Sequence, residues 1–188
     1  MSEAVLAAAR SLLGARLSHG EVVVRITEVE AYDGANDPAS HAYRGETPRN
    51  AVMFGPPDHL YVYFTYGMHW CANVVCGADG DPSAVLLRAG AVESGLDLTR
   101  ARRGGIRDRD LARGPARLCQ ALGITGEHNG VDLRGASALV LTPSALPPDR
   151  ISSGPRVGVS TAADRPWRFW VTDEPTVSVY RPARARTR

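Results

Sequence analysis

Residues 21–32, E-V-V-V-R-I-T-E-V-E-A-Y, alternate so regularly that they read as a β-strand. Strand periodicity then places Val22, Val24, Ile26, Glu28, Glu30 and Tyr32 on one face. Two glutamates and a tyrosine therefore continue an apolar stripe. A chain can use that pattern as a solvated strand end, or as a place where a carboxylate loses its hydration and is brought toward proton transfer at neutral pH. Periodicity alone does not separate the two.

A second constraint lies downstream. Residues 60–64, L-Y-V-Y-F, are β-rich, Gly67 is suited to the positive φ of a tight turn, and residues 70–76 resume an apolar run, which together read as a β-hairpin. Tyr66 then sits at the tip, where no core reaches it, whereas Tyr61 and Tyr63 lie far enough down to be core. A tip aromatic of this kind suits insertion between bases, because an apolar wedge unstacks a step and bends the duplex. Five of the six tyrosines fall between Thr27 and Asn73, a crowding expected of a site.

Between strand and hairpin, residues 33–57 carry Gly, Asn, Asp and Pro at short intervals, and a loop of that length in a small domain is usually functional. His41 and Arg49 lie in it. His41 reads as an ordinary loop histidine or as a site residue. No histidine pair has ligand spacing, and the odd set Cys71, Cys76 and Cys119 lacks a C-x-x-C pair, so no metal and no cofactor is expected and the cysteines read as reduced core residues.

All 22 basic side chains are arginine. With no lysine, any Schiff-base chemistry would have only the terminal amine to use, so a route through activated water is favoured. Seven arginines, from Arg100 to Arg117, are interleaved with Asp108 and Asp110; such a run is a solvated face or a phosphate-binding one. Gly114-Pro115 opens a short helix over 115–122, either a core helix or one whose free amides face an anion. Residues 2–13 read as a helix capped by Ser2 and ended by Gly14, and 94–103 as another. Residues 84–89 read as a buried strand whose Arg88 needs acidic partners. Short β runs are expected at 138–141, 156–159, 167–171 and 177–180. The stretch 181–188 reads as a disordered basic tail. The length is that of one domain, 1–188, and 44% apolar composition supplies a core. No membrane span or signal peptide is indicated, so a soluble, cytoplasmic protein is expected.

These residues carry a resemblance. The chain resembles the alkyladenine (3-methyladenine) DNA glycosylase family through Thr27-Glu28-Val29-Glu30-Ala31-Tyr32, then His41, Thr47-Pro48-Arg49-Asn50, Leu60-Tyr61-Val62-Tyr63, Tyr66-Gly67-Met68, Asn73 and Val85-Leu86-Leu87-Arg88-Ala89. Later matches run from Gly114 to Leu122 and over Arg156-Val157-Gly158-Val159, so that most of the chain is covered in order. The resemblance implies that Glu30 is the general base, that Arg88 helps to position the attacking water, and that Tyr32, His41 and Tyr63 wall the pocket for an extruded base. Electron-rich rings there would favour a cationic alkylated purine. It further implies that Asn73 rejects a guanine 2-amino group at the pocket floor, that Tyr66 intercalates, and that Arg49, Gly67, Met68 and Arg117 contact DNA. His69-Trp70 and the loop 55–58 depart from the family pattern.

The expected architecture is α+β: a single domain with a curved, mostly antiparallel sheet, short surrounding helices and a protruding hairpin. The expected function is a monomeric, monofunctional glycosylase acting on double-stranded DNA that contains damaged purines, alkylated or deaminated. A non-catalytic nucleic-acid binding module has little use for Glu30 facing phosphates. A hydrolase of free purine nucleosides has none for Tyr66 or the arginine run.

Overall fold

In chain order the elements of the computed structural model are α1 (Glu3–Ser11), β1 (Arg16–His19), β2 (Val22–Asp33), β3 (Leu60–Thr65), β4 (His69–Val75) and β5 (Ser83–Ser94). Then follow α2 (Leu96–Arg103), α3 (Pro115–Leu122), β6 (Leu139–Thr142), β7 (Ile151–Gly154) and β8 (Arg168–Val171). The structure describes residues 3–145 and 148–183. Ser2 as a helix cap, and residues 184–188 of the basic tail, fall outside the described residues.

All eight strands join one antiparallel sheet, ordered β3-β4-β5-β2-β1-β6, with β8 on β2 and β7 on β8. Strand β2 is its axis. It pairs with β5 throughout, with β1 along Val22–Arg25 and with β8 along Glu28–Glu30. Three neighbours on one strand curl the sheet, as expected of the predicted α+β class.

The register of β2 against β5 corrects the predicted stripe. Ile26 pairs with Gly90 and Glu28 with Ala89, so Thr27 is an extra residue on β2; Glu28 pairs with Ala89 and Val29 with Leu87, so Arg88 is extra on β5. A bulge shifts the side-chain phase by one and re-aims the residues beside it. Val22, Val24 and Ile26 lie in the main core, but beyond the bulge it is Val29 and Ala31 that join them. Glu28, Glu30 and Tyr32 are turned to the opposite side, where the fold builds its cavity. Gly90 is required at this point, since a Cβ would lie 2.7 Å from the Arg25 carbonyl oxygen.

Helix α1 lays Val5 and Ala9 on the sheet, and α3 buries Leu118, Cys119, Ala121 and Leu122 against β4 and β5. Fully burying Leu118 and Leu122 stabilises the fold by roughly 1.5–3 kcal/mol each, and it fixes the Pro115 start of α3 at the cavity rim. Helix α2 begins at Leu96 rather than Ser94, because Ser94 still belongs to β5. The runs at 156–159 and 177–180 are not strands, and Ile151–Gly154, too polar to stand out in sequence, is one. Cys71 and Cys119 are buried, Cys76 is partly buried, and all three are free.

Strands β3 and β4 pair antiparallel, with Thr65 opposite His69. Both tip residues have positive φ, Tyr66 at 51° and Gly67 at 66°, the pairing that a tight hairpin turn matches to strand twist. Tyr66 is 87% exposed and Met68 66%. A tyrosine held at positive φ in open solvent has no packing reason to be there.

Candidate active site

Glu30 is fully buried in the second half of β2, yet it lines a cavity of about 540 Å³. Three donors converge on its carboxylate. The Tyr32 hydroxyl donates to Oε2 at 2.9 Å, the Val157 amide donates to Oε1 at 2.7 Å, and Arg88 Nη1 lies 3.4 Å from Oε1. The solvated strand end is therefore excluded. Burial works against the Arg88 charge, but Glu30 and Glu28 beside it outweigh that loss and hold the guanidinium protonated. Burial and then the Glu30 charge hold the Tyr32 phenol well above its ordinary value, so it stays a donor.

Aromatic side chains form the rest of the wall. The His41 ring meets Tyr63 edge-on at 4.6 Å between centroids, and Tyr61 lies 5.6 Å from Tyr63. His41 Nδ1 and the Tyr61 hydroxyl are 3.0 Å apart. His41 keeps one side open to solvent, and the burial of the other, with the Arg49 charge nearby, pushes its imidazole below its ordinary value, so the ring is neutral at pH 7. The loop that carries it is pinned by Asn50, which donates to the carbonyls of His41 and Gly45 at 2.9 and 3.1 Å and accepts from the Thr47 amide at 2.7 Å. Tyr61 is thus both core and wall, because it is buried in a small cluster with Met53 and Val75 that backs the cavity.

Asn73, on β4, lines the cavity with its side-chain amide donating to the Tyr61 carbonyl at 3.2 Å. The hydrogen bond fixes where its oxygen points. Arg49 lies over the Tyr63 ring at 5.5 Å and donates to the Phe64 carbonyl at 3.3 Å, tying the loop to the hairpin. His69 also lines the cavity, and its Nδ1 has no hydrogen-bond partner among the described residues. Tyr66 stands at the mouth.

The structure brings together Glu30, Tyr32, His41, Tyr63, Tyr66, Asn73 and Arg88 around this one cavity. Gly67 and Met68 extend beyond it on the hairpin. Arg117 lies apart, exposed on α3. Much of the arginine run is already occupied: Arg100 pairs with Asp97 and Asp108, and Arg107 and Arg113 pair with Asp110. Among the described residues no group of three His, Cys, Asp or Glu side chains is placed to hold a metal ion, and no helix is long and apolar enough to cross a membrane.

The feature hardest to find in sequence is the support behind Tyr32. Arg156, fully buried, stacks on that ring at 4.6 Å and on Trp167 at 5.3 Å. It forms a two-pronged pair with Asp37, one prong at 2.9 Å, and donates to the Ala31 carbonyl at 3.0 Å. Asp37 and Arg156 are 119 residues apart, and no spacing rule links them.

Comparison with known proteins adds a separate line of evidence. The family model for methylpurine-DNA glycosylase (MPG) matches residues 1–175. A protein of Frankia casuarinae is 52% identical, covering 96% of this chain and 90% of its own length. One from Streptomyces avermitilis is 52% identical over 97% and 92%, and one from Nocardia farcinica 56% identical over 93% and 86%. Each of these relatives is named "Putative 3-methyladenine DNA glycosylase".

Proposed function

Because the chain belongs to the methylpurine-DNA glycosylase family, we propose that it excises alkylated or deaminated purines from double-stranded DNA by hydrolysis, with Glu30 as general base. The observation that carries this reading is the Glu30 carboxylate, buried in the wall of an aromatic cavity and held by three donors.

In this mechanism the damaged nucleotide leaves the stack and its base enters between Tyr32, His41 and Tyr63. A cationic alkylated purine gains most from electron-rich ring faces. Glu30 takes a proton from a water as the water oxygen bonds to C1′ of the deoxyribose. The N-glycosidic bond breaks and its electron pair leaves with the base: an alkylated cation departs neutral, and a neutral deaminated purine departs as its anion and takes up a proton from solvent water. Arg88 orients the water and balances the charge near Glu30. An abasic site remains in an intact strand.

The cavity alone would also serve a hydrolase of free nucleosides. Tyr66 argues against that, since an aromatic 87% exposed at a hairpin tip is useful only where a vacated stack must be filled. The deciding comparison presents the same purine, hypoxanthine, in a duplex and as the free nucleoside. Release from the duplex alone is expected; equal release from both would favour the nucleoside reading.

Tyr66→Ser is expected to leave the melting temperature nearly unchanged, because an exposed side chain typically changes stability by no more than about 0.5 kcal/mol. Base extrusion should weaken roughly tenfold or more, the scale of one lost base–aromatic stack, read as a smaller fluorescence change from a 2-aminopurine reporter. The deficit should shrink when the lesion is left unpaired. A variant that melts much earlier yet extrudes normally would return Tyr66 to a structural role.

For Asn73, whose amide is fixed by the Tyr61 carbonyl, the family role is exclusion of a 2-amino group. Asn73→Ser should raise excision of guanine-type bases relative to adenine-type ones on the order of fivefold, the size of a clash worth about 1 kcal/mol. An unchanged ratio in the folded variant would move selectivity elsewhere.

A further inference from the structure

Glu28 stands two residues before Glu30 and is equally buried, yet it does not line the cavity. Its carboxylate, on the same side of β2, is enclosed by donors instead. On Oε1 it accepts Arg88 Nε at 2.9 Å, Arg168 Nη1 at 3.3 Å and the Ser178 hydroxyl at 2.9 Å; on Oε2 it accepts the Ser178 amide at 2.7 Å. The Ser178 hydroxyl in turn accepts Arg88 Nη2 at 3.3 Å. Ser178 is itself held in place, since Arg113 donates to the Val177 carbonyl at 2.8 Å and Thr176 bonds Thr27 at 2.9 Å. This segment follows the residues 1–175 that the family model matches.

Two of the three guanidinium nitrogens of Arg88 are thus gripped from behind, and only Nη1 is presented to Glu30. We propose that Glu28, clamped by Ser178, is the positioning residue of this site, and that its task is to keep Arg88 from closing a two-pronged pair with Glu30. A guanidinium and a carboxylate within reach of each other favour that fork. Formed here, it would occupy the Glu30 oxygen that must receive a proton from water. Held by its Nε edge, Arg88 instead touches Glu30 at one corner and leaves room beside it. The bulge that makes Arg88 an extra residue on β5 is what turns its side chain into this grip.

The proposal rests on Glu30 and Arg88 acting as read above, and its test separates the two. Glu28→Gln should slow single-turnover excision roughly 10- to 100-fold, the usual result of a displaced catalytic group. The Kd for a duplex carrying a tetrahydrofuran abasic analogue should stay within about twofold, because Glu28 lies behind the wall and not on it. Glu28→Gln alone leaves Arg88 and Arg168 one carboxylate short, so the charge-balanced pair Glu28→Gln/Arg168→Met is measured against Arg168→Met. The pair should be slower by the same factor. Ser178→Ala keeps the amide donor on a partly exposed segment and should lose rate in the same direction, severalfold, at unchanged Kd. Equal excision rates for the pair and for Arg168→Met, or a loss confined to Kd, would overturn the role of Glu28. A Ser178→Ala enzyme at full speed would overturn that of the clamp. If Glu30→Gln kept its activity, the underlying reading would fail instead, whatever the Glu28 variants did.

Discussion

Single-turnover excision by Glu30→Gln is expected to fall at least roughly 100-fold, the ordinary consequence of losing a general base, while affinity for duplex DNA is kept. Glutamine preserves the shape and an oxygen that accepts from the Val157 amide, which now donates to Oε1 at 2.7 Å. It cannot take a proton from water. The choice between Glu30 and Glu28 follows from their surroundings. Glu30 lines the cavity, and Glu28 has its oxygens committed to Arg88, Arg168 and Ser178. A Glu30→Gln enzyme that still turns over while Glu28→Gln is dead would reverse the assignment.

The largest expected loss of stability comes from Asp37→Ala. Arg156 is fully buried, and Asp37 is the carboxylate paired with it. Removing one partner of a buried pair leaves an uncompensated charge that costs about 3–5 kcal/mol. For a chain of this size that corresponds to a melting temperature lower by about 6 to 20 °C. The same change should loosen Tyr32, whose ring rests on the Arg156 guanidinium at 4.6 Å. Asp37→Asn, which keeps one acceptor oxygen, should lose less. A variant melting within about 2 °C of the parent would show that the pair is dispensable.

What the sequence made legible was local. The antiparallel pair β3 and β4, its turn at Tyr66 and Gly67, the core helix over 115–122 and the buried strand leading to Arg88 all follow from periodicity and turn chemistry, which act over a few residues. The phase of β2 did not. A strict alternation through Thr27 puts Glu30 on the core stripe, and only the pairing with β5 reveals that Thr27 is looped out and the carboxylates face away from the core. Support for the site was equally hidden. Asp37 with Arg156 and Glu28 with Ser178 are contacts of high sequence separation, 119 and 150 residues, between residue types that are unremarkable in loops. The strand Ile151–Gly154 escaped notice because serines and a glycine carry no apolar alternation. Its place is set by β8 across from it. The arginine run shows the opposite failure, for its basic appearance exceeds what its internal pairs with aspartate leave available.

The central claim is that water, activated at Glu30, displaces the damaged base and leaves the strand intact. It is tested most directly with an end-labelled duplex bearing one damaged purine, reacted to completion and divided between a neutral quench and hot alkali, with a third portion treated with borohydride during the reaction. Strand scission in the alkali portion alone is expected, in amounts equal to the free base released, with no covalent protein–DNA adduct trapped, consistent with a chain that has no lysine. Scission under neutral quench, or a trapped adduct, would contradict the account.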